Sequence, residues 1–367
     1  MSLFGMRLAL VGPLPPPSGG MATQTLQLAE LLRNEGLQVD LIQTNPAYRP
    51  AWIAYVPVLR ALFRLMPYLL ALWRRAAQCD LFHVMANSGW SWHLFAAPAI
   101  WIAHLRGKPV VVHYHGGEAE AFLGQSARCV SLSLRQASAL IVPSGFLKSV
   151  FGRFGLAAMI VPNVVDLSCF NHARPPLGAR RNFFVPRNLE PVYDNETALQ
   201  AFAVVHRIYP DARLTIAGSG PSEVSLRAMA RSLGVDSAVE FAGRMDRQAM
   251  ASAYQRAAVV VNPSLADNMP VSILEALASG VPVVSTDVGG IRYLVKHEHS
   301  ALLVPPRSPK AMAEAMLRLM DDVALSERLV GNGLTEAQKY TWSRVWPVLS
   351  DVYRTAARPS LEQWETQ

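Results

Sequence analysis

Two carboxylates eight residues apart, Asp267 and Glu275, lie in a stretch of the chain that is otherwise almost wholly aliphatic. Between Pro270 and Val284 the one charged residue is Glu275, set among Ile273, Leu274, Ala276 and Leu277. A carboxylate in such company is costly to bury unless hydroxyls or other donors meet it. The opposing reading is a glutamate solvated at the exposed edge of a helix. Asp267 precedes that helix, where its carboxylate and the free N–H groups of the helix start face one pocket, and such a start suits a phosphate.

The elements that must position these groups follow from the flanking residues. Val259–Val261 and Val281–Val284 read as buried parallel strands, and the segment between them as the connecting helix, with Pro270 near its start and Gly280 just past its end. The first half repeats the alternation. Met6–Val11 is a short strand; the loop Gly12–Gly20 holds four prolines and three glycines, including Gly19 and Gly20; a helix over Ala22–Asn34 and a strand at Val39–Ile42 follow. Further strands are read at Leu81–Met85, Val110–His113 and Ala139–Val142. This pattern predicts an α/β fold of doubly wound parallel sheets, with ligands beyond the carboxyl ends of the strands. His115 lies just past one such end. His113 shares its facing in an extended strand, but no third ligand of suitable spacing appears, so no metal is expected. The plain alternative for His115 is a strand-end histidine bonded to backbone.

The second half carries three further strand ends. Phe183–Val185 leads into the turn Arg187–Glu196, Leu214–Gly220 ends in glycines that include Gly218, and Val239–Gly243 runs into Arg244 and Met245.

Asp267, the following turn, Glu275 and the run from Ala276 to Val284 resemble the donor-site signature of the family-4 retaining glycosyltransferases of GT-B fold. That resemblance implies two Rossmann-like domains facing across a cleft and a nucleotide-diphosphate sugar as co-substrate, with no cofactor and no metal. It places Asp267 and His115 against the donor sugar as the catalytic pair and Glu275 on the ribose. Arg187 and the Gly19-Gly20 loop go to the diphosphate, and the backbone near Arg244 and Met245 goes to the base. Gly218, Asn268, Met269, Pro270 and Val271 complete the substrate-binding set. Ile160–Asp166 resembles the family's exit from the first domain, with Val164 where Gly is usual. Two further departures are visible. The first carboxylate is Asp rather than the usual Glu, and the lysine expected five or six residues after Arg187 is replaced by Tyr193-Asp194-Asn195. The resemblance divides the chain into an acceptor domain over 1–170, a donor domain over 171–340 with its linker at Asn171–Arg181, and a final helix over 341–367 crossing back to the first domain.

Charge separates the halves. The chain has 34 Lys and Arg against 27 Asp and Glu, a net charge of +7. Residues 1–165 hold 13 of those cations and 6 of the acids, and residues 166–367 hold 21 of each, so the excess lies in the first half. Within it, Leu41–Cys79 has five arginines (Arg49, Arg60, Arg64, Arg74, Arg75) and no acid, interleaved with Trp52, Tyr55, Phe63, Tyr68 and Trp73. A basic amphipathic stretch of this kind suits the headgroup layer of an anionic membrane over residues 49–75. Its bland counterpart is a surface helix pair packing its apolar face on the domain. It is too interrupted by charge to span a bilayer. The longer stretch Leu81–Leu105, free of Asp, Glu, Lys and Arg, is read as strand, loop and buried helix.

Three widely spaced cysteines, Cys79, Cys129 and Cys169, fit reduced thiols, and no export leader opens the chain. The expected protein is a glycosyltransferase at the cytoplasmic face of a membrane, acting on a lipid-linked or saccharide acceptor. A catalytically impaired sugar-nucleotide binder and a sugar-nucleotide epimerase remain open. Nucleic acid is not expected as a partner, because the arginines sit among long apolar residues without a groove-reading motif.

Overall fold

The computed structural model describes residues 2–16, 20–46, 57–170 and 181–358, without the side chains of 57–62. Gly19, Arg49, Trp52, Tyr55 and residues 171–180 of the expected linker lie outside the described residues.

The chain separates into two compact units, Met1–Pro162 with Val345–Gln367, and Asn163–Arg344. In the first, β1 (Arg7–Gly12), α1 (Gly20–Asn34), β2 (Gln38–Gln43), α2 (Pro57–Ala76), β3 (Leu81–Ala86), α3 (Ala97–Leu105) and β4 (Val110–Tyr114) lead to α4 (Ala119–Leu134), β5 (Ala139–Val142), α5 (Gly145–Arg153) and β6 (Met159–Ile160). The second runs from β7 (Asn182–Val185) through α6 (Asn195–Ile208), β8 (Arg213–Ala217), α7 (Glu223–Ser232), β9 (Val239–Gly243), α8 (Arg247–Arg256) and β10 (Val259–Asn262). It continues with α9 (Val271–Ala278), β11 (Val283–Thr286), α10 (Ile291–Leu294), β12 (Leu302–Val304), α11 (Pro309–Asp321) and α12 (Val323–Ala337). The last helix, α13 (Trp342–Ala356), reaches into the first unit.

Each unit holds one six-stranded sheet, ordered β2-β1-β3-β4-β5-β6 and β12-β11-β10-β7-β8-β9, and the strand pairs are parallel. Parallel strands with helices on both faces are buried on both sides, which is why they read as unbroken Val, Ile, Leu and Phe runs. Phe183, Phe184 and Val185 of β7 and Val259, Val260 and Val261 of β10 are all buried, each contributing about 1.5–3 kcal/mol of burial. In the second sheet the strand order reverses between β7 and β10, and in the first between β1 and β3. At such switch points neighbouring loops part in opposite directions and leave a crevice at the carboxyl ends.

Three readings need adjustment. The first domain closes at Pro162, not residue 170: Asn163–Phe170 groups with the second unit because Val165 N–H donates to the Tyr340 carbonyl at 2.9 Å and the side chains of Val165 and Phe170 lie in the core against Tyr254, Ile273 and Leu274. At the other end the second unit runs on to Arg344, past the expected 340, and α13 joins the first unit from Val345, where Val345, Leu349, Val352 and Tyr353 are buried and the Tyr353 hydroxyl meets His83 Nδ1 at 2.7 Å. The apolar segment before Leu105 is only partly buried, since α3 exposes Trp101 and Leu105.

Candidate functional site

The second unit's switch point is built from the ends of β7 and β10. Arg187, two residues past β7, donates from Nε to Asn262 Oδ1 at 2.6 Å and pairs through Nη2 with Asp267 Oδ2 at 2.7 Å. Their side chains are 10% and 15% exposed, so this ion pair is largely withdrawn from water. Its aim comes from a buried polar ladder beneath it. Asn262 Nδ2 donates to Ser285 Oγ, Ser264 Oγ donates to Asn262 Oδ1, and Thr286 Oγ1 donates to the Ser264 carbonyl. With its acceptor held in this way, Asn262 fixes the guanidinium plane, and a planar fork so held is suited to a phosphate.

The loop after β10 is set by close backbone approaches. Gly290 N–H donates to the Asp267 carbonyl at 2.8 Å, and Asn268 N–H donates to Asp267 Oδ1 at 2.8 Å. A Cβ on Gly290 would lie 1.7 Å from the Asn268 carbonyl oxygen, and one on Gly289 2.3 Å from that of Asp267. Pro270 caps α9, so Val271 and Ser272 supply its first N–H groups. Asn268, Met269 and Pro270 are buried and Val271 is partly exposed. Gly218 serves the same packing at the neighbouring strand end: its N–H donates to the Gly243 carbonyl at 2.8 Å, and a Cβ there would meet the Arg187 carbonyl oxygen at 2.3 Å. Gly218 therefore brings β8 against the Arg187 turn, where any side chain would push it away.

Glu275 is half-buried, and Tyr254 donates to its Oε2 at 2.9 Å. It is neither stranded in the core nor free at an edge. Burial pushes its carboxyl from the ordinary 4.5 to about 7, against the opposing pull of the Tyr254 hydroxyl, Arg247 and Arg187. Because the folded value lies above the unfolded one, this carboxyl favours the folded state most below pH 4.5, and that contribution is lost as pH rises through 7. Glu275→Gln removes the ionisation and is expected to stabilise the protein by roughly 2 kcal/mol at pH 8 while changing little at pH 5. Urea midpoints at the two pH values check this; an equal or larger loss at pH 8 would contradict it.

Where the lysine was expected, the turn offers an aromatic ring. Tyr193 lies with its ring 5.2 Å from the Arg187 guanidinium carbon, and Asp194 adopts a left-handed conformation (φ 44°) with its carboxylate accepting from Thr197. Asn195 is buried and donates to the Asn188 carbonyl. The ring supports the guanidinium and adds no charge. At the base-side turn, Arg244 is exposed and donates to Ser219 Oγ at 2.7 Å, while Met245 packs against the core.

His115 and Gly20 belong to the first unit. His115 follows β4, its N–H donates to the Ala86 carbonyl at 2.9 Å, and its ring lies 4.1 Å from that of His113. Burial lowers its pKa to about 4, so it is a neutral imidazole at neutral pH. His83 and His113 are buried too, and both are held neutral by desolvation. Gly116 is closely surrounded, since a Cβ would meet Ser88 Oγ at 2.2 Å and the Tyr114 hydroxyl at 2.6 Å, and those side chains would have to shift. Gly20 opens α1 with nothing crowding it. Among the described residues no three His, Cys, Asp or Glu gather to hold a metal ion.

Sequence reasoning missed Asn262, Ser264, Ser285 and Thr286, as well as Tyr254 and Arg247. The first four had a signal, being polar residues at or just past the carboxyl ends of two valine-rich strands. Tyr254 and Arg247 sit on α8, where nothing local marks them.

Two doubly wound parallel domains, the second with a cation and a helix start at its switch point, have the architecture of the GT-B fold. Residues 18–168 match the family model described as glycosyltransferase family 4, and residues 181–322 match that described as glycosyl transferases group 1. The chain thus carries a glycosyltransferase family 4 domain followed by a glycosyl transferases group 1 domain. It is similar to an uncharacterized glycosyltransferase of Methanocaldococcus jannaschii, 34% identical over 40% of this chain and 38% of that one. That match therefore spans well under half of the relative's length. It is also similar to the phosphatidyl-myo-inositol mannosyltransferase of Mycobacterium leprae, 25% identical over 96% of this chain and 97% of that protein. Among solved structures it shares its fold with Anabaena HepE, crystallised with UDP and glucose, at a TM-score of 0.74 and 17% identity over 95% of this chain and all of that one.

Proposed function

We propose that this protein transfers a sugar from a nucleotide-diphosphate sugar to an acceptor hydroxyl with retention at the anomeric carbon. The observation that carries this reading is the Arg187 guanidinium, fixed by Asn262 and paired with Asp267 at the β7–β10 switch point. The bond from the anomeric carbon to the diphosphate oxygen breaks, the acceptor oxygen bonds to that carbon on the same face, and the acceptor's proton passes to the departing phosphate. No enzyme nucleophile is required. Arg187 and the N–H groups at the start of α9 take the charge that develops on the diphosphate. Glu275 is assigned to the ribose, Asp267 to the sugar, and the backbone at Arg244 and Met245 to the base. His115 is assigned to the sugar as a neutral imidazole that orients it. No cofactor and no metal enter this scheme. Support for the donor comes from HepE, a protein of the same fold that was crystallised with UDP.

A thermal-shift screen against the diphosphate sugars of uridine, guanosine, adenosine and thymidine tests the donor, and the anomeric configuration of the product tests retention. Stabilisation by none of them would overturn the reading, because a ligand that binds the folded state must raise its melting temperature. Donor binding without transfer or hydrolysis would favour the catalytically impaired binder, the reading that Tyr193 in place of a lysine motivates.

We place the acceptor, a lipid-linked or saccharide precursor, at the cytoplasmic face of a membrane. Helix α2 supports this with a second apolar face. Tyr68, Leu72 and Ala76 enter the core, whereas Phe63, Met66, Leu70 and Trp73, at intervals of three and four residues, point to solvent. Arg64, Arg74 and Arg75 flank that stripe, and Arg106 lies 4.7 Å over the Trp73 ring at the end of α3, beside the exposed Leu105. Among the described residues no helix is long and apolar enough to cross a membrane. The similarity over nearly the whole chain to an enzyme named for phosphatidyl-myo-inositol agrees with a lipid acceptor. Leu70→Glu with Trp73→Glu is expected to reduce flotation with anionic vesicles at low salt by about tenfold. Equal flotation of the variant, or none by the wild type, would remove the membrane from the proposal.

A further inference from the structure

The segment that follows Pro162 does more than connect the two units. Asn163 is 7% exposed, its Nδ2 donates to the Met269 carbonyl at 3.0 Å, and its backbone N–H approaches Met269 Sδ at 3.4 Å. Three residues on, Asp166 pairs with Arg247, the first residue of α8, and Arg247 is one of the cations that act on Glu275. Phe170 then sets its ring edge-on to Tyr254 at 5.7 Å, and the Tyr254 hydroxyl holds Glu275. Side chains of one eight-residue segment thus reach the loop that carries Asp267 and two of the three groups that bear on Glu275, Tyr254 and Arg247.

We infer that Asn163–Phe170 is a working part of the donor site, with Asn163 as the positioning residue of the loop that presents Asp267 and the start of α9. The inference rests on the donor reading above. The Met269–Pro270 peptide has no N–H and offers only a carbonyl, which Asn163 satisfies; the loop is thereby tied at the residue before the helix begins. The competing view is that Asn163 serves stability alone. Against it, Asn163 Oδ1 is buried with no hydrogen-bond partner among the described residues, and a buried acceptor left unmet opposes folding. What its other end holds accounts for the residue. Arg247 gains a role with it: the pair with Asp166 fixes a half-exposed guanidinium whose charge acts on Glu275.

Asn163→Asp keeps the size and sets a carboxylate oxygen where the amide donated. Two readouts decide: amide hydrogen exchange across 267–272 in the protein without nucleotide, and affinity for UDP, GDP, ADP and dTDP. Exchange in that loop is expected to quicken about tenfold, and affinity for the preferred nucleotide to weaken about tenfold, with β8 and β9 unchanged. Unchanged exchange and affinity overturn the inference, and so does exchange that rises throughout the second unit, because that marks a purely structural role. Should the wild type bind none of the four nucleotides, the donor reading fails, while the loop's exchange still decides whether Asn163 positions it. Asp166→Asn, at a partly exposed side chain where the amide oxygen can still accept from Ser168, is the second variant; it is expected to weaken nucleotide binding several-fold by releasing Arg247. Unaltered affinity there removes Asp166 and Arg247 from the site.

Discussion

Arg187→Ala is expected to cut sugar transfer by about a thousandfold, the upper range for removing a preorganised group that stabilises transition-state charge. The size of the effect follows from the turn's composition. Between Phe184 and Gln200, Arg187 is the one cation, so the diphosphate charge loses the side-chain cation that this turn supplies, leaving the N–H groups of α9. The variant also leaves Asp267, which is 15% exposed, with the Asn268 N–H but without its cationic partner. Breaking a largely buried pair by removing one member costs about 3–5 kcal/mol. Three variants separate the two consequences. Arg187→Lys keeps the charge and loses the bond to Asn262, so stability is expected to recover more than activity. Arg187→Ala with Asp267→Ala is expected to be more stable than Arg187→Ala alone, because no charge is left unpaired. Transfer by Arg187→Ala within tenfold of the wild type would mean that the diphosphate is held elsewhere, and the donor site as drawn would be wrong.

Gly290→Ala is the second large effect. A single methyl 1.7 Å from the Asn268 carbonyl oxygen cannot be absorbed by a flexible side chain, since the atom it meets is backbone. The loop from Asp267 to Met269 must move, and its bond from Gly290 N–H to the Asp267 carbonyl is lost or lengthened. A displacement of about 1 Å at a reacting site costs on the order of a hundredfold in rate, and a loss of at least that size is expected here. Gly331 supplies the control. It lies exposed in α12 with nothing near its Cβ position, so Gly331→Ala is expected to raise stability by about 0.5–1 kcal/mol and leave transfer unchanged. Kinetics and denaturation of the two variants side by side would show whether the glycine at 290 is required for close approach. Comparable activity in both would refute it.

The architecture was legible in the sequence, and so were the loop and helix that carry the two carboxylates at the second unit's switch point. Buried parallel strands leave an unambiguous record, because both faces demand apolar side chains, and Val259–Asn262, Val283–Thr286 and the helix between them lie within two or three residues of where their valines and flanking proline and glycine placed them. Asp267 and Glu275 were legible for the same reason: a charge amid an aliphatic run needs a use. Tertiary structure alone decided what those charges meet. Asp267 pairs with a residue 80 positions earlier, Glu275 is held by a tyrosine on another helix, and Asn163 reaches a carbonyl 106 residues away. No local pattern encodes such partners, because they are brought together by strand order. The same holds for α2. Its spacing showed an amphipathic helix, yet only its packing revealed that Tyr68 and Leu72 go inward while Phe63, Met66, Leu70 and Trp73 remain outside. Periodicity reports that a face is apolar; which of two apolar faces the core takes depends on the neighbouring helix and sheet.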